Sequence, residues 1–247
     1  MAATAPSPLR LQRVGLAYPD SDRGEGLSSI RQARRATGHR ARKGEGALLR
    51  EEILDATEEL LYAHGSIEAV PIRAIADRVG VTSPAIYLHF ADKDQLFYAV
   101  CRRGFDRFAQ QLAPVLTSEG TALARIRRLG EEYIRFGLDN WQQYPILFGP
   151  KSTGSIPEDE LADDPGLRVL EGLVALVAEA QAAGDFRSDL PPVTLAGVMW
   201  SAAHGTVELL IKARAHPEIV PFPPVEELIE AMLETLLRGL AAPPSSR

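Results

Sequence analysis

The stretch "IRAIADRVGVTSPAIYLHFADKDQL", residues 72–96, constrains the fold most, because two short apolar-faced patterns in it are separated by Gly80. Ile72, Ile75, Ala76 and Val79 recur at helical spacing, and Gly80 stops the run. Pro71 fits a first helical position, where a missing N–H costs nothing. Thr82 or Ser83 can then cap a second helix, Pro84 is tolerated in its first turn, and Ile86 and Phe90 face inward. Two helices of about eight residues pivoting on a glycine have the spacing of a helix-turn-helix, here at about residues 70–89. Steeply crossed short helices leave the outer face of the second one uncovered. Thr82, Ser83, Ala85, Tyr87 and His89 are therefore placed to meet a partner.

The flanking segments complete a three-helix unit. "LLREEILDATEELLYAHG" sets Leu49, Ile53, Ala56, Leu60 and Ala63 three and four apart on one stripe, and Gly65 is a stop. Glu51 and Glu52 lie in its first turns, where the helix dipole favours negative charge. "ADKDQLFYAVCRRGFDRFAQQL" carries Phe97, Cys101, Phe105, Phe108 and Leu112 as its stripe, with Asp92 as the expected N-cap and Lys93 in the first turn. Lys93 reads either as a solvated charge or as a phosphate contact, since helix N-termini offer free N–H groups to anions.

Charge is unevenly divided along the 247 residues. Residues 104–247 hold twelve basic and twenty acidic groups, a balance of −8, while residues 31–103 hold twelve and ten. "RQARRATGHRARKG", residues 31–44, has six basic groups and no acid. Residues 1–46 lack periodicity and read as a disordered basic N-terminal arm, either free in solution or resting on phosphate. A single cysteine, Cys101, excludes an internal disulfide, and no apolar run is long enough to span a bilayer. No secretory signal opens the chain, so a soluble cytoplasmic protein without membrane association is expected.

The helix "ILDATEELLYAHG", the second helix "IRAIADRVGV", the segment "SPAIYLHFADKDQL" and the lysine opening the next helix together resemble the TetR (tetracycline repressor-type) family of bacterial transcriptional regulators. The resemblance covers roughly residues 48–100. Two departures concern local geometry: Pro71 stands where the family usually has a Ser or Thr cap, and the turn "GSIEAV" is one residue longer than usual. The resemblance implies an all-α fold, with an N-terminal helix-turn-helix domain over 47–107 and a C-terminal helical ligand-binding and dimerisation domain over 108–247. Carried over by position, Thr82, Ser83 and Ala85 approach base edges, with Pro84 and Ala85 able to offer only apolar contact, as to a thymine methyl. Tyr87, His89 and Lys93, together with Arg73, fall to the phosphate backbone. For Tyr87 the alternative is a half-buried core tyrosine, and for His89 a packed core histidine.

From residue 120 onward the periodicity is helical, with almost no strand signal. Four helices are expected: "TALARIRRLGEEYIRFGLDNWQQYP" stopped by Pro145, "DPGLRVLEGLVALVAEAQAAGDF" with Leu170, Leu173, Val174 and Val177 inward, "PVTLAGVMWSAAHGTVELLIKARAHP", and "PVEELIEAMLETLLRGLAAP". Residues 149–166 read as a polar loop. Its "GPKSTG" is no phosphate-binding loop, because Pro150 occupies the glycine position and no strand leads into it. "RGEGLSS" lacks the third glycine of a dinucleotide fingerprint. Five histidines without metal-ligand spacing, one cysteine and no nucleophile elbow leave no case for a metal site, a cofactor or an enzyme.

Gly197, Ser201 and Gly205 form a small-residue stripe along one helix, and Ile229, Met232, Leu233 and Leu236 make the last helix strongly apolar. Two such helices from each of two chains can close a four-helix dimer interface, or can pack within a single chain. Trp200, His204 and Gly205 also resemble the Trp-His-Gly signature of one subset of TetR-type C-terminal domains. Tyr133, Phe136, Trp141, Phe148, Trp200 and His204 are candidates to line an effector cavity, the alternative being ordinary core aromatics. The expected function is a ligand-responsive repressor that binds a pseudo-palindromic double-stranded DNA operator as a homodimer and takes a small-molecule effector. The rival readings are a helical small-molecule-binding protein or enzyme with a vestigial DNA-binding module, and an activator or structural DNA-binding protein.

Overall fold

Capping and periodicity turn these patterns into helices α1 (Glu45–His64), α2 (Ile72–Val79), α3 (Ser83–Tyr87), α4 (Lys93–Leu116), α5 (Ala122–Asp139), α6 (Tyr144–Phe148), α7 (Pro165–Ala182), α8 (Pro192–Ala215) and α9 (Val225–Leu240). The computed structural model describes residues 45–149, 163–215 and 223–242. The arm expected over 1–46, except its last two residues, and most of the loop expected over 149–166 lie outside them. Among the described residues the only extended pairing is an isolated antiparallel bridge between Phe186 and Ala241.

Two hydrophobic cores are stacked along α4. The first gathers Ile53 and Leu61 of α1, Ile75 of α2, Ile86 of α3, Phe90, and Leu96 and Val100 of α4. The second runs from Cys101 and Phe108 through α5, α7 and α8 to Leu240. The two cores thus meet between Val100 and Cys101, within α4. Ile146 of α6 packs against both.

Several local expectations are corrected. Leu54, Thr57 and Leu61 are buried on α1 while Ala63 is exposed, so the buried face is rotated from the stripe read in sequence. Thr57 is accommodated because its hydroxyl donates to the Ile53 carbonyl at 2.6 Å. Pro71 is the N-cap of α2 and makes no side-chain cap bond. α3 has five helical residues rather than about eight. Pro145 stops nothing: α5 already ends at Asp139, and the proline sits in the first turn of α6, where it fits. On α7, Pro165, Val169, Leu176, Val177 and Ala180 are the buried positions; of the residues expected inward Val177 is among them, and Leu170, Leu173 and Val174 are half-buried.

The turn between α2 and α3 depends on Gly80, which has φ 82°. There its N–H and that of Val81 both donate to the Ala76 carbonyl, at 2.9 and 3.0 Å. That left-handed conformation suits a residue without Cβ.

Candidate nucleic-acid interface and effector cavity

α3 is pinned from beneath and bare on top. Ile86 and Phe90 are almost fully buried, whereas Thr82, Pro84, Tyr87 and Leu88 are exposed and Ser83, Ala85 and His89 half-buried. Tyr87, at 47 % exposure, is therefore not a core tyrosine. His89 turns toward the start of α1, where its ring carbon lies 3.9 Å from the place a Cβ on Gly46 would take. Leu88 is the residue sequence reading missed. It is 85 % exposed, the most solvent-exposed large hydrophobic side chain among the described residues. α3 ends at Tyr87 and Leu88 is its C-cap, outside the helix.

The cationic frame of this face is set by capping. The Asp92 carboxylate accepts from the Gln95 N–H at 2.7 Å, and the Gln95 side-chain oxygen accepts from the Ala91 N–H at 2.7 Å. This reciprocal cap starts α4 at Lys93, as expected. Lys93 Nζ lies 5.3 Å over the Phe97 ring, and Arg50 lies 5.0 Å over Phe90. Arg73, in the first turn of α2, is almost wholly exposed, with a loose ion pair to Asp77 at 3.8 Å. Such a pair at the surface holds a side chain weakly and leaves it available to phosphate.

Within the body is a cavity of 490 Å³. Its wall is mainly aliphatic and aromatic, drawn from α4, α5, α6, α7, α8 and α9. Of the aromatic candidates, Tyr133, Phe148 and Trp200 line it. Phe136 is buried behind the wall, edge-on to Phe108. Trp141 lies elsewhere, 4.9 Å from the Arg214 guanidinium. His204 stands one layer back. Its Nδ1 is 2.6 Å from the Tyr144 hydroxyl and 3.3 Å from that of Tyr133, while the Trp200 indole N–H donates to the Tyr133 oxygen at 3.0 Å. Tyr133 and Tyr144 share a further bond at 2.8 Å. Burial pushes the Tyr133 hydroxyl up to about 12, with the Glu208 charge adding to the shift. Tyr144 is raised further, again chiefly by burial. Both remain neutral hydroxyls across physiological pH.

The last helix departs from its sequence reading. Leu233 is buried within the protomer, and Met232, Leu233 and Leu236 line the cavity rather than lie on an outer face; Ile229 is half-buried against the same core. The outer face of α8 is different. Gly197 and Gly205 have open space beyond them, Ser201 is exposed, and Val193, Val198 and Leu209 are exposed beside them.

Between cavity and DNA-facing unit sits α6. Tyr144 and Leu147 are buried in the body, and Phe148 lies on the cavity wall. Ile146 reaches the first core, and the buried Gln143 amide donates to Glu58 of α1 at 3.4 Å. α6 lies so close to α4 that a Cβ on Gly104 would collide with Leu147 and come within 2.7 Å of the Gln143 amide. Glu58 also accepts from Arg103 and Arg107 of α4, both at 2.5 Å, and from the Tyr62 hydroxyl. Burial pushes the Glu58 carboxyl up, but the Tyr62 and Arg103 hydrogen bonds and the charges of Arg107 and Arg103 together hold it below its ordinary value.

Residues 53–100 match the family model described as bacterial regulatory proteins, tetR family. Residues 126–236 match the one described as tetracyclin repressor-like, C-terminal domain. The HTH-type transcriptional activator FasR of Mycolicibacterium smegmatis is 30 % identical over 40 % of this chain and 45 % of its own length. The nucleoid occlusion factor SlmA of Marinobacter nauticus is 27 % identical over 60 % of this chain and 73 % of its own. The HTH-type transcriptional repressor AcnR of Corynebacterium diphtheriae is 35 % identical over 28 % and 36 %. The matches to FasR and AcnR thus span less than half of either.

Among solved structures, a protein with unknown function from Rhodococcus sp. RHA1 superposes with TM-score 0.65 at 27 % identity, covering 83 % of this chain and 97 % of that one. A transcriptional regulator of the TetR/AcrR family from Thermobifida fusca gives 0.58 at 25 %, covering 77 % and 97 %. The regulator FadR of Bacillus subtilis, solved with stearoyl-CoA, gives 0.61 at 17 %, covering 77 % and 98 %, a likeness of fold alone.

Proposed function

Because the chain belongs to the TetR family of bacterial transcriptional regulators, we propose that it binds a pseudo-palindromic DNA operator as a homodimer and represses until a small effector fills its cavity. We assign residues 47–107 to DNA binding and 108–247 to effector binding and pairing. The observation that carries the reading is α3: five residues anchored by Ile86, with Thr82, Pro84, Tyr87 and Leu88 bare above it and Lys93 at the next helix start. Pro84, Ala85 and Leu88 supply apolar contact to thymine methyl groups, while Thr82 and Ser83 supply hydroxyls to base edges. Tyr87, Arg73 and Lys93 hold the backbone, and His89 supports the face from its half-buried position.

Pairing uses the outer face of α8. Its glycines admit a second helix closely, and Val193, Val198 and Leu209 lose their water in the contact. A two-fold dimer sets two α3 helices about one DNA turn, roughly 34 Å, apart. Release follows from α6. A ligand pressing on Phe148 and Leu147 shifts Ile146 and Gln143, and through Glu58 it shifts α1 and the spacing of the two reading helices. A coupling of about 1–3 kcal/mol suffices for such linkage.

The reading is tested by selecting duplexes from a random pool with the purified chain and measuring retardation of the winners. Site-specific, salt-sensitive retardation by a dimer is expected. Ligand turnover with no duplex selected would favour the rival, a helical binding protein or enzyme whose DNA module is vestigial. Transcription from a promoter carrying the selected site, with and without the chain, gives the sign of regulation.

A further inference from the structure

Resting on the reading of the chain as an effector-responsive regulator, we propose that the effector is an uncharged lipophilic molecule with a single oxygen function, hydroxyl or carbonyl, seated on the Tyr133 hydroxyl. The same site disfavours carboxylates and polyphosphate carriers such as acyl-CoA.

The charge distribution argues first. Among the described residues Asp164 is the one charged side chain on the wall, and it is negative. Its oxygen already accepts from the Gly166 and Leu167 N–H groups, at 2.7 and 3.3 Å. Nearby cations are committed elsewhere: Arg102 and Arg168 both bind Asp163, and Arg125 binds Glu179. Arg127 is likewise held by Glu230 and Glu131. Among the described residues the wall offers an entering anion no lysine or arginine: it meets Asp164 at one end and, near the tyrosines, the field of Glu208, which is itself paired with Lys212 at 3.4 Å. Burying an unpaired charge is among the costliest changes a site can undergo.

Hydrogen-bond accounting then selects the polar handle. The Trp200 N–H is spent on the Tyr133 oxygen. In one proton order, Tyr133 donates to Tyr144 and Tyr144 to His204 Nδ1, leaving a lone pair on Tyr133 for a ligand hydroxyl. In the reverse order, His204 Nδ1–H donates to Tyr144 and Tyr144 to Tyr133, freeing the Tyr133 proton for a ligand carbonyl. Either neutral oxygen completes the cluster without creating charge. The remaining wall is apolar, and 490 Å³ lies within the range of about 300–1,000 Å³ that holds a drug-sized molecule.

The chain has two tryptophans, so Trp141→Phe, remote from the cavity, leaves Trp200 as the sole reporter on its wall. Full-length Trp141→Phe protein would be titrated by fluorescence with dodecan-1-ol, dodecan-2-one, dodecanoate and dodecanoyl-CoA, and with shorter and longer members of each series. The alcohol and ketone series are expected to bind at least about tenfold more tightly than the charged series, a ratio set by the uncompensated charge. Tyr133→Phe should weaken the neutral ligands about fivefold, the worth of one hydrogen bond. Asp164→Asn keeps a good N-cap and should narrow the gap between dodecanoate and dodecan-2-one, a check that stands if Tyr133→Phe misfolds. Equal or tighter binding of dodecanoate or dodecanoyl-CoA, or no binding by any neutral member, overturns the proposal. The same ligands are added to the retarded selected duplex. Release by a charged ligand alone overturns the ligand class but leaves the regulator standing. Failure to select any duplex overturns the regulator, while the Trp200 titration still decides what the cavity holds.

Discussion

The DNA-facing unit and the body bury their side chains to opposite ends. Around α3 the core is closed: Ile53, Ile75, Ile86, Phe90 and Leu96 are essentially without solvent contact, and what remains outside is a short rigid face. The body spends a larger apolar inventory on enclosing a space. Its wall residues Met232, Leu236 and Leu237 are only half-buried because they border the cavity. A surface that reads another surface needs its side chains held in fixed places, and close packing holds them. A unit that reads a small molecule must leave room for it and forgo the contacts that would have filled the room.

This contrast can be broken at several depths. Phe90→Ala removes a ring from the closed core and should cost about 3–5 kcal/mol in denaturant unfolding, with DNA retardation lost. A cost below about 1 kcal/mol would show that the first core is not closed after all. Glu58→Ala strips the shared acceptor of Arg103 and Arg107. Because Arg103 keeps Asp55 at 2.7 Å, the expected cost is about 2–3 kcal/mol, less than that of a fully orphaned charge. Since the folded-state pKa of Glu58 lies below its ordinary value of 4.5, its contribution is complete above that pH and is lost as pH falls through the folded value. Acid unfolding of Glu58→Ala should therefore be shallower than that of the parent.

Overpacking separates the two regions directly. Ala76→Leu enlarges a side chain in the closed core and should destabilise by about 1–3 kcal/mol. Ala203→Leu projects into the cavity and should change stability by less than about 1 kcal/mol while weakening binding to Trp200's side of the wall. Equal penalties at both sites would remove the distinction. The smallest effects lie on the DNA face. Leu88→Ala should cost about 1 kcal/mol of discrimination at a thymine, visible as altered site preference, whereas Lys93→Ala should weaken all duplexes alike.

Legibility in the sequence followed the same division. Gly80, Asp92 and the inward pair Ile86 and Phe90 act through local backbone chemistry, so their roles could be read from residue order. Leu88 could not, because its exposure depends on where α3 ends, five residues in, and residue order does not mark that end. In the body, helix periodicity revealed the helices but not which side of α9 faces inward. Leu233 packs over Gly130, which has room for it because that position has no side chain, and this pairing crosses about a hundred residues of sequence. Trp141 and Phe136 share the aromatic composition of the true wall residues, and composition carries no direction. Trp200 and His204, one turn apart on α8, were recognisable as a pair; their common partner Tyr133 required the fold.

Fluorescence anisotropy of a selected duplex, followed across salt concentration at known protein stoichiometry, weighs the regulator reading most directly. Two protomers per duplex are expected, with log affinity falling linearly against log salt and the slope reduced by about 1.8 when both Lys93 side chains become alanine. One protomer per duplex, or affinity indifferent to salt and to sequence, would contradict it.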